Sequence, residues 1–215
     1  MHKKLIMACM AIAAFAAFVV APAASATTLK EGETSLAVGA SVTATNTGNT
    51  EFTGGFNVVC DHADLSGKVT RNDGTSVEGE VPVGSALFNG TGANTDCTSA
   101  LGDVKVTVTS KLCFKTGEFT TQNGTKHVDG VSVTGCGGNV TFVLDSTSTG
   151  IQCKYTTASV VGQYLTAPSD ATIKTEGQSV PEEEGKLFCP DSGVLKMDFD
   201  LTTTNGATLT FVSGV

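Results

Sequence analysis

Apolar and polar residues alternate along much of this chain, and the spacing of three or four residues that marks an amphipathic helix is almost absent. Every second residue in the later part of the segment 193–203 is apolar, namely Leu195, Met197, Phe199 and Leu201. The same alternation occurs in the segment 103–110, at Val104, Val106 and Val108. Because successive side chains of a strand point to opposite faces, this pattern predicts strands with one buried and one solvent-exposed face.

Turn-forming pairs such as Asp73-Gly74 and Asn205-Gly206 separate the alternating segments, and they tolerate the positive φ of tight hairpins. Strands are therefore predicted near residues 34–46, 50–60, 65–71, 75–82, 103–110, 117–122, 126–134, 139–145, 150–156, 159–165, 171–175, 193–203 and 207–213. Many short antiparallel strands with regular turns predict an all-β fold, an antiparallel β-sandwich built as one large body or as two similar halves.

The two segments most typical of loops are 89–97 and 177–187. The second contains Pro181 and the consecutive glutamates Glu182, Glu183 and Glu184, which are not expected inside a core. Both segments are therefore predicted to lie on the surface, where a partner has access to them.

Residues 1–26 have the pattern of an export signal. A basic start, His2-Lys3-Lys4, precedes an apolar run over 5–20, and Ala24-Ser25-Ala26 matches the small-residue cleavage site. Retention as a membrane anchor is the alternative, but the run is short for a hydrocarbon core of about 30 Å and no stop-transfer charges follow it. The sequence therefore predicts a signal peptide over 1–26 and a secreted body over 27–215.

Two stretches bounded by cysteines are similar to each other. The first runs from Cys60 to Cys97 and the second from Cys153 to Cys189, with spacings of 37 and 36 residues, and an alternating apolar strand follows each. This similarity is consistent with duplication of one β unit, which divides the body into halves 27–145 and 146–215. Chance similarity between short strands is the alternative explanation of this pattern.

Six cysteines remain once Cys9 leaves with the signal: Cys60, Cys97, Cys113, Cys136, Cys153 and Cys189. In an exported chain they are expected to form disulfides, and six cysteines allow fifteen pairings. A duplication favours the pairs 60–97 and 153–189 and leaves 113–136 as the third. The sequence has no CxxC pair and no HxxxH spacing, so no zinc or iron–sulfur cofactor is predicted.

The chain is acidic, with 21 acidic and 13 basic residues and a formal net charge of −8. Loss of Lys3 and Lys4 with the signal makes the secreted body more acidic still. Such a surface repels phosphate backbones and anionic lipid headgroups, so neither nucleic acid nor a membrane is expected as a partner after cleavage. The expected partner is an extracellular or cell-surface ligand.

The densest polar cluster is Asp61-His62-Ala63-Asp64, directly after Cys60. His62 with Asp61 and Asp64 is the candidate metal site of this sequence, although a turn after a disulfide favours the same residues without any ligand. The secreted body has only His62 and His127 as histidine bases, and no GxSxG motif marks a nucleophile. No catalytic residue is therefore assigned.

Five features after an alanine-rich signal occur together: Leu36-Ala37-Val38-Gly39-Ala40, Ala44-Thr45-Asn46, a strand ending in Cys60, Val77-Glu78-Gly79-Glu80 and Cys189-Pro190-Asp191-Ser192-Gly193. In these features the chain resembles a group of uncharacterised secreted proteins of the actinobacterial type. The resemblance covers most of the secreted body and implies a secreted all-β protein. It implies no activity, substrate or catalytic residue.

These observations favour a secreted, non-catalytic protein with a binding or cell-surface structural role. One alternative is a small secreted hydrolase or metal-dependent enzyme centred on His62, which requires converging ligands or a cleft around that residue. Another is a secreted inhibitor or effector that acts through an exposed loop between disulfides.

Overall fold

The protein is built from strands and turns. The computed structural model describes residues 26–89, 96–121, 124–166, 170–175, 177–185 and 188–214. The strands in the first half are β1 Ala26–Glu31, β2 Thr34–Ser35, β3 Ser41–Asn46, β4 Thr50–Thr53, β5 Val58–Cys60, β6 His62–Asn72, β7 Val77–Val81, β8 Ala86–Asn89, β9 Cys97–Ser99 and β10 Gly102–Val108. Those in the second half are β11 Leu112–Thr120, β12 Lys126–Gly135, β13 Val140–Ser146, β14 Gln152–Thr157, β15 Val160–Tyr164, β16 Thr172–Thr175, β17 Gln178–Gly185, β18 Ser192–Lys196, β19 Asp198–Thr203 and β20 Leu209–Gly214. In these described ranges no helix is long and apolar enough to cross a membrane.

Hydrogen bonds between the strands form two closed rings. The first ring is a closed barrel in the order β10-β13-β14-β17-β18-β4-β5-β9. A second sheet has the order β3-β19-β16-β15-β12-β11-β7-β6-β8, and an additional pairing of β3 with β6 closes all of it except β8 into the second ring. Each ring therefore contains eight strands, and neighbouring strands within each ring pair antiparallel.

The two rings are successive levels of one long barrel. Along the sequence, seven of the eight first-ring strands are separated from a second-ring strand by only a few residues, which we call a break. The break between β18 and β19, for example, is the single residue Met197. Pairing continues across this break, since Phe199 pairs with Asn46 in the second ring and Lys196 pairs with Glu51 in the first. Seven long segments thus run up and down around the wall in chain order, and β7 and β9 occupy the eighth position in the second and the first ring. This up-and-down order is the simplest antiparallel barrel topology.

Strands near the two ends of the described chain close one end of this barrel. Strands β1, β2 and β20 form a small sheet in which Leu29 pairs with Phe211. Both side chains are fully buried in a cluster with second-ring residues, among them Val131 and Leu201. The Oγ1 of Thr27 also lies 2.6 Å from the hydroxyl of Tyr164, a buried hydrogen bond. The terminal sheet therefore acts as a plug for the second ring.

The predicted all-β, antiparallel class is confirmed, but the pairing does not produce two open sheets as in a simple sandwich. Strands on both sides of residue 145 belong to the same rings, for example β13 with β14 and β3 with β19. Division into duplicated halves at this point stays a prediction. The signal segment 1–25 and the residues 90–95 of the predicted loop 89–97 lie outside the described residues.

The prediction of a loop over 177–187 is wrong for most of its length, because β17 occupies Gln178–Gly185. Val180 on this strand is fully buried, and exposed Glu183 forms an ion pair with Lys154 at 3.2 Å. Proline has no N–H to donate to a neighbouring strand. Pro181 is tolerated in β17 because the pairing of β17 with β14 ends one residue away, at Glu182, beside a register shift, so β14 requires no hydrogen bond from Pro181. Pro181 and Glu183 are thus compatible with a barrel strand, because both lie on its exposed outer face.

The three disulfides are Cys60–Cys97, Cys113–Cys136 and Cys153–Cys189, as the duplication argument favoured. The first joins the neighbouring strands β5 and β9 inside the first ring. The second lies at the break between β12 and β13, and the third connects β14 to the turn after β17. Three intramolecular disulfides indicate folding in an oxidising environment.

Candidate functional site

A cavity of about 130 Å³ lies inside the barrel at the level where the two rings meet. All eight strands of the second ring contribute to its wall, as do β4, β5, β10, β13 and β18 of the first ring. The alternating positions noted in the sequence form much of this wall: Val106, Val108, Leu195, Met197, Phe199 and Leu201. The same alternation that folds the barrel therefore gives the cavity its lining.

The wall is apolar almost throughout. Apart from the disulfide-bonded Cys60 and two glycines, it consists of aliphatic and phenylalanine side chains and of Thr50 and Thr175. No charged side chain is among the described residues that line it. A cavity with so few polar groups holds water poorly and favours an apolar occupant, because water needs several hydrogen-bond partners to replace those it leaves in bulk.

The two threonines of the wall differ in their hydrogen bonding. Thr175 Oγ1 donates to the Met197 carbonyl at 3.0 Å and accepts from the Met197 amide at 2.7 Å, so it is satisfied by the backbone. Thr50 is only 3% exposed, and its Oγ1 has no hydrogen-bond partner in the part of the chain that the structure describes. Thr50 therefore supplies the one hydroxyl of this wall that is not already engaged.

Aromatic side chains pack in the first ring at one side of the cavity, and two of them, Phe52 and Phe142, also line it. The ring centroid of Phe52 lies 5.7 Å from that of Phe142 and 4.6 Å from that of Tyr155. Gly193 makes this packing possible, because a Cβ there would lie 2.0 Å from the Cζ of Phe52. The cavity thus ends against a packed aromatic cluster at this side.

Tyr155 remains a neutral hydrogen-bond donor in this cluster. Its hydroxyl donates to the carbonyl of Pro190 at 3.2 Å. Burial, and secondly the negative charge of Glu182, raise the pKa of the Tyr155 phenol well above its ordinary value. A phenol with a raised pKa keeps its proton at neutral pH, so it places no charge next to the apolar interior.

Phe114 is held in the cavity wall by a glycine on the next strand. Gly79 of β7 pairs with Phe114 of β11, and a Cβ at Gly79 would lie 2.1 Å from the Cε1 of the phenylalanine ring. The absence of a side chain at Gly79 therefore leaves the space in which this ring packs. A larger residue there displaces the ring and changes the shape of the cavity.

The candidate metal ligands of the sequence lie elsewhere, on the outer face of β6 and at its start. His62 Nε2 lies 2.7 Å from Asp64 Oδ2, and the His62 side chain is 50% exposed. The other oxygen of Asp64 accepts a hydrogen bond from Thr45 at 2.6 Å, while the backbone carbonyl of Asp61 accepts one from Asn46. Within the described residues, no group of three or more His, Cys, Asp or Glu side chains is arranged to hold a metal ion.

A second polar cluster has a structural explanation. The carboxylate of Asp73 accepts hydrogen bonds from the hydroxyl and amide of Thr75, at 2.6 and 3.0 Å, and from Arg71 Nε at 2.6 Å. These contacts hold the pKa of Asp73 well below its usual range. The cluster closes the turn between β6 and β7, where Gly74 has a φ of 85°.

Searches for similar proteins return no match. No protein-family model matches the chain, and no curated protein or solved structure is significantly similar to it.

Proposed function

We propose that this protein is a secreted, non-catalytic binding protein that holds a small apolar molecule inside its barrel. The observation that carries the proposal is the cavity of about 130 Å³ with its almost wholly apolar wall. An eight-stranded barrel has an interior just wide enough to be filled by side chains or to hold one small ligand. Here the side chains leave a space close in size to a cavity of about 150 Å³ that binds benzene.

The chemistry of the wall supports binding rather than catalysis. General acid–base and nucleophilic mechanisms need titratable or nucleophilic side chains at the bound molecule. The described residues around the cavity offer a disulfide and two hydroxyls, and one of those hydroxyls is engaged by the Met197 backbone. Such a wall recognises a molecule through its shape and its apolar surface.

Secretion is the part of this proposal that rests on the sequence. The export signal over 1–26 and the disulfides, which need an oxidising environment to form, agree with each other. In water, burial of the surface of a small apolar molecule provides the driving force for its binding.

We further propose that the first ring is flattened, so that its opposite walls pack as the two layers of the predicted sandwich do. Phe52 on β4 and Phe142 on β13 lie four strands apart in either direction around this ring. Their aromatic rings nevertheless contact each other at 5.7 Å.

Filling the cavity tests the proposed function. Toluene is expected to bind the wild-type protein with a dissociation constant on the order of 0.1–1 mM, given its seven heavy atoms. Ala44 lines the cavity, and Ala44→Leu adds three carbon atoms there. The variant is expected to bind toluene at least about tenfold more weakly, measured by isothermal titration calorimetry, while its melting temperature stays the same or rises because a void is filled.

The matched control is Ala100→Leu, since Ala100 is exposed in the turn between β9 and β10. This variant is expected to bind toluene as the wild type does. Equal toluene affinity in the Ala44→Leu variant and the wild type, or no binding to the wild type, would overturn the proposed function.

A further inference from the structure

We propose that the molecule held in the cavity is an uncharged amphiphile with a single hydrogen-bonding oxygen, a hydroxyl or a carbonyl, which pairs with the side chain of Thr50. This inference rests on the proposed function and names the class of ligand. It follows from one buried hydroxyl, from the wall around it and from the way in which the other threonine of the wall is satisfied.

Thr50 lies at the start of β4 and pairs with Cys60 of β5, and both residues line the cavity. Its side chain is 3% exposed, and its Oγ1 has no hydrogen-bond partner within the described ranges. The large majority of buried side-chain polar atoms in proteins are hydrogen-bonded, because an unpaired buried hydroxyl loses its bonds to water and gains none. An unpaired hydroxyl beside a cavity therefore points to a partner that the cavity receives.

The second threonine of the wall, Thr175, has a hydroxyl that is hydrogen-bonded within the protein. Thr175 Oγ1 both donates to and accepts from the backbone of Met197. The hydrogen of the Thr175 hydroxyl and one of its two lone pairs are therefore engaged, so Thr175 has no hydrogen to donate to a ligand. The polar recognition is thus expected at one point only, beside Thr50.

Water is a poor partner for Thr50. A buried water molecule is held by about three hydrogen bonds, and the described wall offers one free hydroxyl among apolar side chains. A ligand with one oxygen satisfies Thr50 and covers the rest of the wall with its hydrocarbon part. Charged headgroups are excluded, because an ion in such surroundings loses its hydration and meets no counter-charge.

Phenol and toluene separate this hydrogen bond from simple filling of the cavity, since they differ by a hydroxyl in place of a methyl group. We expect Thr50→Val, which preserves the shape of the side chain, to weaken phenol binding about tenfold, the loss of roughly one neutral hydrogen bond. Toluene affinity should change little. Calorimetric titration of the purified full protein with both probes gives the ratio of their dissociation constants for each variant.

Two controls fix the interpretation. Thr50→Ser keeps the hydroxyl and is expected to keep the wild-type ratio. Thr53→Val makes the same change as Thr50→Val at an exposed threonine of β4 that does not line the cavity, and it should leave the ratio unaltered. If Thr50→Val does not fold, Thr50→Ala replaces it, and the same loss for phenol is expected.

The outcomes distinguish the two proposals. If the protein binds toluene but Thr50→Val does not change the ratio of the phenol and toluene dissociation constants, the role of Thr50 is overturned. The proposal that the protein binds an apolar molecule is then still supported. Binding of neither probe to the wild type overturns both proposals.

Discussion

Replacing Phe211 by alanine is expected to lower the free energy of unfolding by about 3–5 kcal/mol, as for other buried phenylalanines that are truncated. Phe211 is fully buried in the plug, and its ring centroid lies 4.8 Å from that of Tyr164 on the second ring. The truncation removes both the buried surface and the aromatic contact that hold β20 on the barrel. Urea denaturation, followed by circular dichroism, measures the loss.

Phe188→Ala is the matched control for this prediction. Phe188 is 69% exposed in the turn after β17, so the same truncation there is expected to change the free energy of unfolding by less than about 0.5 kcal/mol. Equal effects at Phe211 and Phe188 would show that the terminal sheet does not close the barrel end.

Removing the Cys60–Cys97 disulfide by a double substitution to alanine is expected to destabilise the protein by about 4 kcal/mol. Release of a loop with a sequence separation of 37 residues accounts for this amount through the entropy of the unfolded chain. Cys60 and Cys97 are also buried in the core cluster of the first ring, so their truncation leaves unfilled space. The melting temperature is expected to fall by roughly 8–16 °C for a chain of this size.

The pair Cys113–Cys136 provides the comparison. Its sequence separation is 23 residues, and both cysteines are half-buried at the break between the rings. Its removal should therefore cost less, about 3 kcal/mol from the shorter loop and little from lost packing. If removal of Cys113–Cys136 lowered the free energy of unfolding more than removal of Cys60–Cys97, the proposed contribution of the first-ring core to stability would be contradicted.

Much of the wall of the barrel follows from local alternation in the sequence. Leu195, Phe199 and Leu201 were predicted on one face of a strand, and all three line the cavity. The similar cysteine spacings favoured two disulfide pairs and left Cys113–Cys136 as the third, and these are the three bonds observed. Local pattern succeeded here because the side-chain period of a strand does not depend on which strand is its neighbour.

Closure of the wall depends on contacts that no local pattern encodes. β3 pairs with β19 through Ala44 and Leu201, which are far apart in the chain, and β3 also pairs with β6. The alternation of these strands is equally compatible with two open sheets, which explains the sandwich prediction. Strand β17 was missed because Pro181 and its acidic neighbours are typical of loops, although only one face of that strand is buried.

The candidate site could not be predicted because a cavity is the volume that side chains from opposite walls do not fill, and this volume depends on the folded structure. Alternation identified inward-facing residues such as Val106 but gave no measure of the volume between opposite walls. The polar cluster at His62 instead gave a candidate metal site, and it lies on the outer face, where His62 and Asp64 pair with each other. Thr50 carried no signal in the sequence, since an unpaired hydroxyl is defined only by its folded surroundings.

Diffraction from a crystal of the protein under xenon pressure tests the central claim most directly, because xenon enters apolar cavities without needing a hydrogen bond. The expected result is a xenon atom inside the barrel, in contact with Val106, Val131 and Leu144 where the two rings meet. The site should be lost in the Ala44→Leu variant. Xenon found only on the outer surface, or not at all, would contradict the assignment of this cavity as a binding site.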